Sequence, residues 1–236
     1  MDIKEYIDNK RKIQRAILSF IDEEEESETK YREISTLLAD PSLTQNKEEL
    51  KQVILIISNI SNNHHRTTDF FDKIGRIIKL IKDDLKNNFT NQELFSFFKN
   101  NKRALLQLVN DNIITINQEL FENERSSYSD EESMIKDIRK FFSPELGKFK
   151  TIKFSEPIEK FKEYRIKGQN SSYICELIRQ DSVEEFITYI NKNNISLSSE
   201  INESVFEANL FLMNKRPHLI EYAAFFNTSK LTVQIF

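Results

Sequence analysis

Apolar residues recur at spacings of three and four along the first twenty-one positions, and this spacing constrains the fold more than any other feature of the sequence. From Ile3 to Ile21 they form one stripe of an amphipathic helix. The same spacing predicts further helices at about 29–39, 47–58, 70–81, 91–98 and 103–109. Only 3 glycines and 4 prolines occur among 236 residues, too few for the tight turns of a strand-rich protein. We therefore predict an all-α fold.

Polar segments separate these helices. Adjacent carboxylates from Asp22 to Glu26 repel one another near the negative end of a helix, so the first helix should end there. Pro41 disfavours helical geometry in Asp40, which predicts the end of the second helix and a loop from Ser42 to Asn46. The polar run from Asn59 to Arg66 predicts a further turn.

The helical spacing fades between about Glu124 and Gly168, where serine, proline and glycine accumulate. We interpret this part as a connector with one helix, Glu132 to Phe142, and an irregular piece near Phe149 to Phe154. The predicted organisation is an N-terminal helical domain at 1–125, the connector at 126–168 and a C-terminal region at 169–236.

An internal repeat links the two ends of the chain. A shift of 81 residues places the segment from Leu105 to Ile116 over the segment from Phe186 to Leu197 without a gap. The shift aligns a pair of apolar residues, an asparagine and a short apolar stretch. It predicts that a helix, an asparagine-rich turn and a short extended finger occur twice.

The segment from His218 to Asn227 resembles the first helix of an ankyrin repeat, whose pattern is T-P-L-H-x-A-A-x-x-G. In this resemblance Ile220 is the buried aliphatic residue, and Ala223 and Ala224 let two helices approach closely. Asn227 replaces the glycine, because asparagine tolerates left-handed geometry. The positions that usually carry Thr, Pro and His hold His218, Leu219 and Glu221, so the usual capping hydrogen bonds are not carried over.

Two earlier segments, Tyr173 to Arg179 and Ser182 to Asn194, resemble the two helices of a preceding repeat. The second of these helices should bury Phe186, Ile187 and Ile190. Together with the polar run that begins at Asn59, these segments look like a large protist family of ankyrin-repeat proteins with a helical N-terminal region. The resemblance covers nearly the whole chain and implies a solenoid-like array of helix hairpins, with degenerate ankyrin-type repeats at the C-terminal end.

The spacing of the two predicted repeats is longer than the usual ankyrin unit of about 33 residues. The resemblance therefore implies an insertion between Ser198 and Arg216. The last stretch, Thr228 to Phe236, lacks a clear helical stripe, so we expect an incomplete last unit and interpret the chain as a fragment that ends in an early repeat.

We assign no catalytic, cofactor-binding or metal-binding residue. Adjacent side chains on a helix point about 100° apart, and no cysteine or third histidine is near His64 and His65, so we interpret this pair as part of a polar turn. The carboxylates of residues 22–26 fan out in the same way. Cys175 lies in an apolar stretch and is predicted to be a buried structural thiol. Three scattered glycines leave no glycine-rich phosphate loop, and we expect a protein without catalysis or cofactors.

The net charge of −4 disfavours nucleic acid as a partner, because no overall positive field attracts phosphate. The basic clusters at Lys10 to Lys12 and Lys99 to Arg103 are offset by nearby acids and lack an aromatic stacking platform. The longest apolar run, Val53 to Ile57, is too short to cross a bilayer, so we expect no membrane partner and a cytoplasmic location, with the nucleus as a second option.

The resemblance implies a non-catalytic scaffold that binds an unidentified protein partner. The alternative is a structural helical module that self-associates through its last repeat.

Overall fold

The computed structural model describes residues 3–23, 27–63, 69–123, 129–149, 151–152, 154, 156–213 and 215–235. The chain divides into two compact units, Met1–Ser126 and Ser127–Phe236. Among the described residues there are fifteen helices and no strand, which confirms the all-α prediction.

The first unit contains nine helices among its described residues. They are α1 (Ile3–Ile21), α2 (Glu28–Leu38), α3 (Pro41–Thr44), α4 (Lys47–Asn63), α5 (Phe70–Leu80), α6 (Lys82–Asn88), α7 (Asn91–Phe98), α8 (Lys102–Asn110) and α9 (Gln118–Glu122). Helix α1 has the predicted bounds and packs its apolar stripe against α2, α4 and α5. Helix α8 packs against α5 and α7, so the core of this unit lies between α1, α4, α5 and α8.

A buried lysine closes the C-terminal end of α1. The ammonium of Lys73 on α5 donates to the carbonyls of Ile21 at 3.2 Å and Glu23 at 2.6 Å, and it lies 2.7 Å from a carboxylate oxygen of Asp69. The last carbonyls of a helix have no partner within the helix, and Lys73 supplies donors for them. This contact explains why a side chain with only 1% exposure can be a lysine.

Two segments predicted to be loop or turn are at least partly helical. The expected loop from Ser42 to Asn46 overlaps α3, because the carboxylate of Asp40 accepts the N–H of Ser42 at 2.9 Å and proline at the first helical position fits this start. The predicted turn from Asn59 to Arg66 is helical as far as Asn63.

Helix α4 extends because the polar run also carries residues that face the core. Ile60 is buried, and the hydroxyl of the fully buried Ser61 donates to the carbonyl of Ile57 at 2.7 Å. His64 and His65, considered above as possible ligands, lie outside the described residues.

The second unit contains six helices among its described residues. They are α10 (Ser129–Phe141), α11 (Ile158–Lys167), α12 (Tyr173–Arg179), α13 (Val183–Lys192), α14 (Leu219–Phe225) and α15 (Ser229–Ile235). The segment 126–168 was predicted to hold one helix, and its described residues hold two, α10 and α11. That prediction was wrong because α11 turns a charged residue, Arg165, towards the core.

Arg165 is 4% exposed and forms a two-pronged ion pair with Glu145, at 2.8 and 2.9 Å. Its guanidinium also donates to the carbonyl of Phe141 at 3.0 Å and lies 5.4–5.9 Å from the ring centres of Phe141, Phe142 and Phe161. A charge at this position interrupts the apolar stripe that would have revealed the helix.

Two helix hairpins, α12–α13 and α14–α15, stack on each other in the second unit. The first helices pack together, and so do the second helices. Each hairpin turns at a residue with left-handed backbone, Asp181 (φ 53°) or Asn227 (φ 54°). In each turn the next N–H reaches back five residues, from Ser182 to Leu177 and from Thr228 to Ala223, both at 3.1 Å.

The two hairpins also share a constant spacing. Asp181 and Asn227 are 46 positions apart, and the same spacing separates the starts of α12 and α14 and the starts of α13 and α15. The left-handed geometry predicted for Asn227 is confirmed.

Two predictions within the hairpins were wrong. Ile187 and Ile220, expected to be buried, are each 41% exposed, and the buried aliphatic residue of α14 is Leu219. The stretch after Asn227 forms α15. The carboxylate of Asp181 accepts the N–H groups of Lys230 at 3.1 Å and Leu231 at 2.9 Å, so the first hairpin caps the last helix.

A long connection joins the hairpins. At its base the N–H of Ile201 donates to the carbonyl of Pro217 at 2.8 Å, and the N–H of Leu219 donates to the carbonyl of Ser199 at 3.2 Å. Between these bonds lies the inserted segment, which we define as residues 202–216. Its buried Glu207 accepts the N–H groups of Asn170 at 3.2 Å and Asn209 at 3.0 Å, which fastens the inserted segment to the chain before α12.

Candidate binding groove

A groove of about 500 Å³ lies between the inserted segment and α14. Its lining combines aromatic, cationic and small side chains: Phe211, Lys215, Arg216, Pro217, Glu221, Ala224 and Phe225. We call it the α14 groove. All of its residues belong to the second unit.

A short polar turn places Phe211 in the groove. The side-chain oxygen of Asn209 accepts the N–H of Phe211 at 2.8 Å, and the backbone carbonyl of Asn209 accepts the N–H groups of Leu212 at 3.0 Å and Met213 at 2.8 Å. Leu212 and Met213 are buried, whereas Phe211 is 57% exposed. The hydrogen bonds to Asn209 and the burial of Leu212 and Met213 thus fix the backbone around Phe211, while its side chain is partly exposed.

Aromatic contacts hold the floor of the groove. The rings of Phe211 and Phe225 are stacked, with centres 5.7 Å apart and planes 7° apart. Phe225 meets Phe226 edge to face at 5.0 Å, and Phe226 packs on Tyr222 at 4.8 Å. The hydroxyl of Tyr222 accepts a hydrogen bond from Arg179 of α12 at 2.6 Å, so the aromatic row reaches the neighbouring hairpin.

The charges around the groove are unequally engaged. The carboxylate of Glu221 accepts the N–H of His218 at 2.8 Å, which stabilises the start of α14. The ammonium of Lys215 lies 4.6 Å from the centre of the Phe211 ring. Arg216 lies 3.7 Å from the carboxylate of Glu203, and both side chains are about 60% exposed. One oxygen of the groove's carboxylate therefore accepts a backbone N–H, and Lys215 and Arg216 are both exposed.

Two buried ionisable side chains of the second unit, Cys175 and Tyr222, are neutral at ordinary pH. Burial raises the pKa of the Cys175 thiol to about 11. Burial, together with the nearby negative charge of Glu207, raises the pKa of Tyr222 well above its usual value. The prediction that Cys175 is buried is confirmed. A thiol in this state is a poor nucleophile.

The basic cluster predicted at Lys99 to Arg103 does not form an exposed patch. Lys102 is fully buried, and Arg103 is 4% exposed, 3.8 Å from Asp72 and 5.4 Å from the ring centre of Phe71. Burial lowers the pKa of Arg103. In the other cluster, Lys10 is paired with Glu49 at 2.6 Å.

Among the residues that the structure describes, no three His, Cys, Asp or Glu side chains lie together in a way that could hold a metal ion. None of the described helices combines the length and the apolar content that a bilayer span requires.

Sequence reasoning predicted no binding residue in the α14 groove, and it expected Ala224, which is exposed in the groove, to let two helices approach closely. The one local signal was an aromatic residue followed closely by two cations and a proline, Phe211 and Lys215 to Pro217. Comparisons with protein-family models, with curated proteins and with solved structures each found no match.

Proposed function

We propose that this protein is a non-catalytic scaffold that binds another protein through the α14 groove, and that its second unit consists of degenerate ankyrin-type repeats. One observation carries the proposal. Two helix hairpins stack first helix on first helix and second on second, with equivalent turns 46 positions apart, and they leave an aromatic groove open beside α14.

The repeat assignment is supported by the order of the elements. Each hairpin has a short first helix, a left-handed turn and a second helix. An extended connection joins the first hairpin to the second. An ankyrin unit has this order with a length of about 33 residues. The longer spacing of 46 residues is accounted for by the inserted segment, which lengthens the loop between the two hairpins.

The binding assignment is supported by the character of the exposed surface. Stacked repeats bind partners through helix faces and through loops on one side of the stack. The α14 groove has both parts, with Ala224 and Phe225 on the helix and Phe211 on the loop. An exposed aromatic ring with a supported backbone is typical of residues that dominate binding energy in protein interfaces.

The chemistry of the second unit favours binding over catalysis. Its thiol and its most buried phenol are held in their neutral forms, and the hydroxyl of Tyr222 already contacts Arg179. A catalytic nucleophile needs a lowered pKa or an adjacent base.

Site-specific photo-crosslinking tests the proposal. A photoreactive amino acid is placed at Ala224 in the groove or, as the control, at the exposed Thr188 on α13, and each protein is irradiated in an extract of its source cells. We expect a discrete protein cross-link from position 224 and none from position 188. Equal labelling from both positions, or none from either, would contradict a scaffold that binds through this groove.

A second candidate is a helical module that self-associates. It is favoured by two exposed apolar side chains on the last hairpin, Ile220 at 41% and Val233 at 84% exposure. Light scattering over a concentration series tests it with the Ile220→Ser, Val233→Ser double variant. Association of the wild type that the double variant lacks would support self-association, and a wild type that stays monomeric at every concentration would contradict it.

A further inference from the structure

We propose that the α14 groove selects an acidic protein segment, in which an apolar or aromatic side chain is flanked by carboxylates. The inference rests on the proposed function, since it names the partner chemistry for the same groove. It follows from two features that lie side by side, a supported aromatic surface and cations that face solvent.

The aromatic surface defines the apolar part of the partner. One face of the Phe211 ring is covered by Phe225, and the ring as a whole is still 57% exposed. Ala224 is exposed in the same groove and adds no bulk beside Phe225. The groove volume of about 500 Å³ accepts a few side chains, which suits one apolar anchor and its neighbours.

The charges define the flanking residues of the partner. The groove is lined by two cations, Lys215 and Arg216, and by one carboxylate, Glu221. One oxygen of Glu221 accepts the N–H of His218. Lys215 interacts with the Phe211 ring, and Arg216 is only loosely paired, with 3.7 Å between its nitrogen and the carboxylate of Glu203. A carboxylate of the partner would therefore meet two exposed cations, Lys215 and Arg216, beside the apolar anchor.

The rest of the chain sharpens this selection. The net charge of −4 means that an acidic segment is repelled by the protein as a whole and attracted at the α14 groove. A nucleic-acid strand would need a track of cations along its backbone, and the groove supplies two. Charge complementarity thus favours an acidic peptide.

Fluorescence polarisation of the full chain with designed peptides tests the inference. The probe is a fluorescein-labelled peptide with one phenylalanine between two pairs of glutamates. Its controls have the glutamates replaced by glutamine, or the phenylalanine replaced by serine. We expect each control peptide to bind about tenfold or more weakly than the probe.

Matched variants locate the binding. Phe211→Ser and Lys215→Glu should each weaken probe binding about tenfold or more, and Lys215→Glu should bind a lysine-flanked peptide better than wild type does. The controls are Ile166→Ser, with a similar exposure of 54%, and Lys192→Glu on the exposed part of α13, and we expect both to stay within about twofold of wild type. All four substitutions are at exposed positions, and thermal unfolding checks that each variant is folded.

Several outcomes would overturn the inference. These are equal binding of the glutamate and glutamine peptides, no binding of the probe, self-association that Phe211→Ser abolishes, or binding to phosphatidylserine vesicles that Lys215→Glu abolishes. If a protein still cross-links at position 224 and the probe does not displace it, the acidic selection fails and the scaffold function stands. If cross-linking and probe binding are both absent, both proposals fail.

Discussion

Two buried cations, one in each unit of this protein, are held in different ways. In the first unit, the fully buried ammonium of Lys73 lies against two backbone carbonyls at the end of α1 and against Asp69, a carboxylate that is 43% exposed. In the second unit, the buried guanidinium of Arg165 is held by Glu145 in two hydrogen bonds and surrounded by phenyl rings.

The difference separates two uses of a buried cation. Lys73 completes a helix end, so its removal exposes a defect in the backbone hydrogen bonds. Arg165 and Glu145 pair through two hydrogen bonds, so removing one partner leaves the other unmatched, whereas removing both takes away the charges and leaves the carbonyl of Phe141 without this donor. Variants that remove one partner or both should distinguish the two arrangements.

The largest effect is expected for the buried ion pair. Glu145→Ala leaves the guanidinium of Arg165 without its carboxylate, and we expect a loss of about 3 kcal/mol in the free energy of unfolding of the second unit. Hydrogen exchange in a urea series measures this loss for each unit separately. The double variant Glu145→Leu, Arg165→Met should recover most of it, and a double variant as unstable as the single one would contradict the assignment.

A smaller effect is expected for the helix end in the first unit. Lys73→Met keeps the length of the side chain but leaves the carbonyls of Ile21 and Glu23 without this donor, at a cost of about 2 kcal/mol. The same urea series measures it. Lys79→Met on the same helix is the control, because Lys79 is 55% exposed and should change stability by less than about 0.5 kcal/mol. Equal effects of Lys73→Met and Lys79→Met would contradict the role of Lys73 as the donor at the end of α1.

A third prediction concerns the contact between the hairpins. Asp181→Asn keeps a residue that tolerates left-handed backbone and removes the negative charge at the start of α15. We expect a loss of about 1 kcal/mol, seen as faster hydrogen exchange in α15. The control is Asn227→Asp, which makes the reverse change, from asparagine to aspartate, at the equivalent left-handed residue of the other turn. If exchange in α15 is unchanged in Asp181→Asn, the first hairpin does not stabilise the last helix.

A fourth prediction concerns the reactivity of the Cys175 thiol. With a pKa of about 11, about one thiol in a thousand is ionised at pH 8, compared with about one in ten at the ordinary value of 9.0. Labelling by a thiol reagent should therefore be about a hundredfold slower in the folded protein than in urea. Labelling at the same rate in both states would show that Cys175 is not enclosed.

The raised pKa of Cys175 also gives a direction for stability with pH. The unfolded chain releases the thiol proton first, so the free energy of unfolding should fall as the pH rises from about 9 through 11. Tyr222 acts in the same direction, since burial raises its pKa as well. Cys175→Ala should make this fall shallower, and an unchanged fall would contradict a contribution from the thiol.

Regular spacing made several helices predictable from the sequence. The bounds of α1 and α7 were predicted correctly because apolar residues recur along one face and polar residues follow at once. The bounds of α12 came from the ankyrin resemblance. The register of α14 was predicted one position late, since the repeat pattern placed the buried aliphatic at Ile220. Its own spacing of Leu219, Tyr222 and Ala223 marks the buried face.

The α14 groove could not be predicted in this way. Phe211 is exposed because the Asn209 turn and the buried residues after it fix the backbone, and no local pattern distinguishes that state from a buried phenylalanine. Helix α11 was not predicted for a related reason. Its buried Arg165 is paired with Glu145, which lies 20 positions earlier in the chain. The burial of Leu212 and Met213 decided the first case, and a contact between distant residues decided the second.

The fastening of the inserted segment has a consequence for the order of folding. Glu207 accepts the N–H of Asn170 across 37 positions, and the N–H of Ala208 donates to the carbonyl of Gly168, so both bonds close a loop around α12 and α13. The amide of Ala208 should therefore gain protection later in refolding than that of Phe186, which bonds within its own hairpin. A chain early in refolding would then hold a formed first hairpin before the α14 groove has formed.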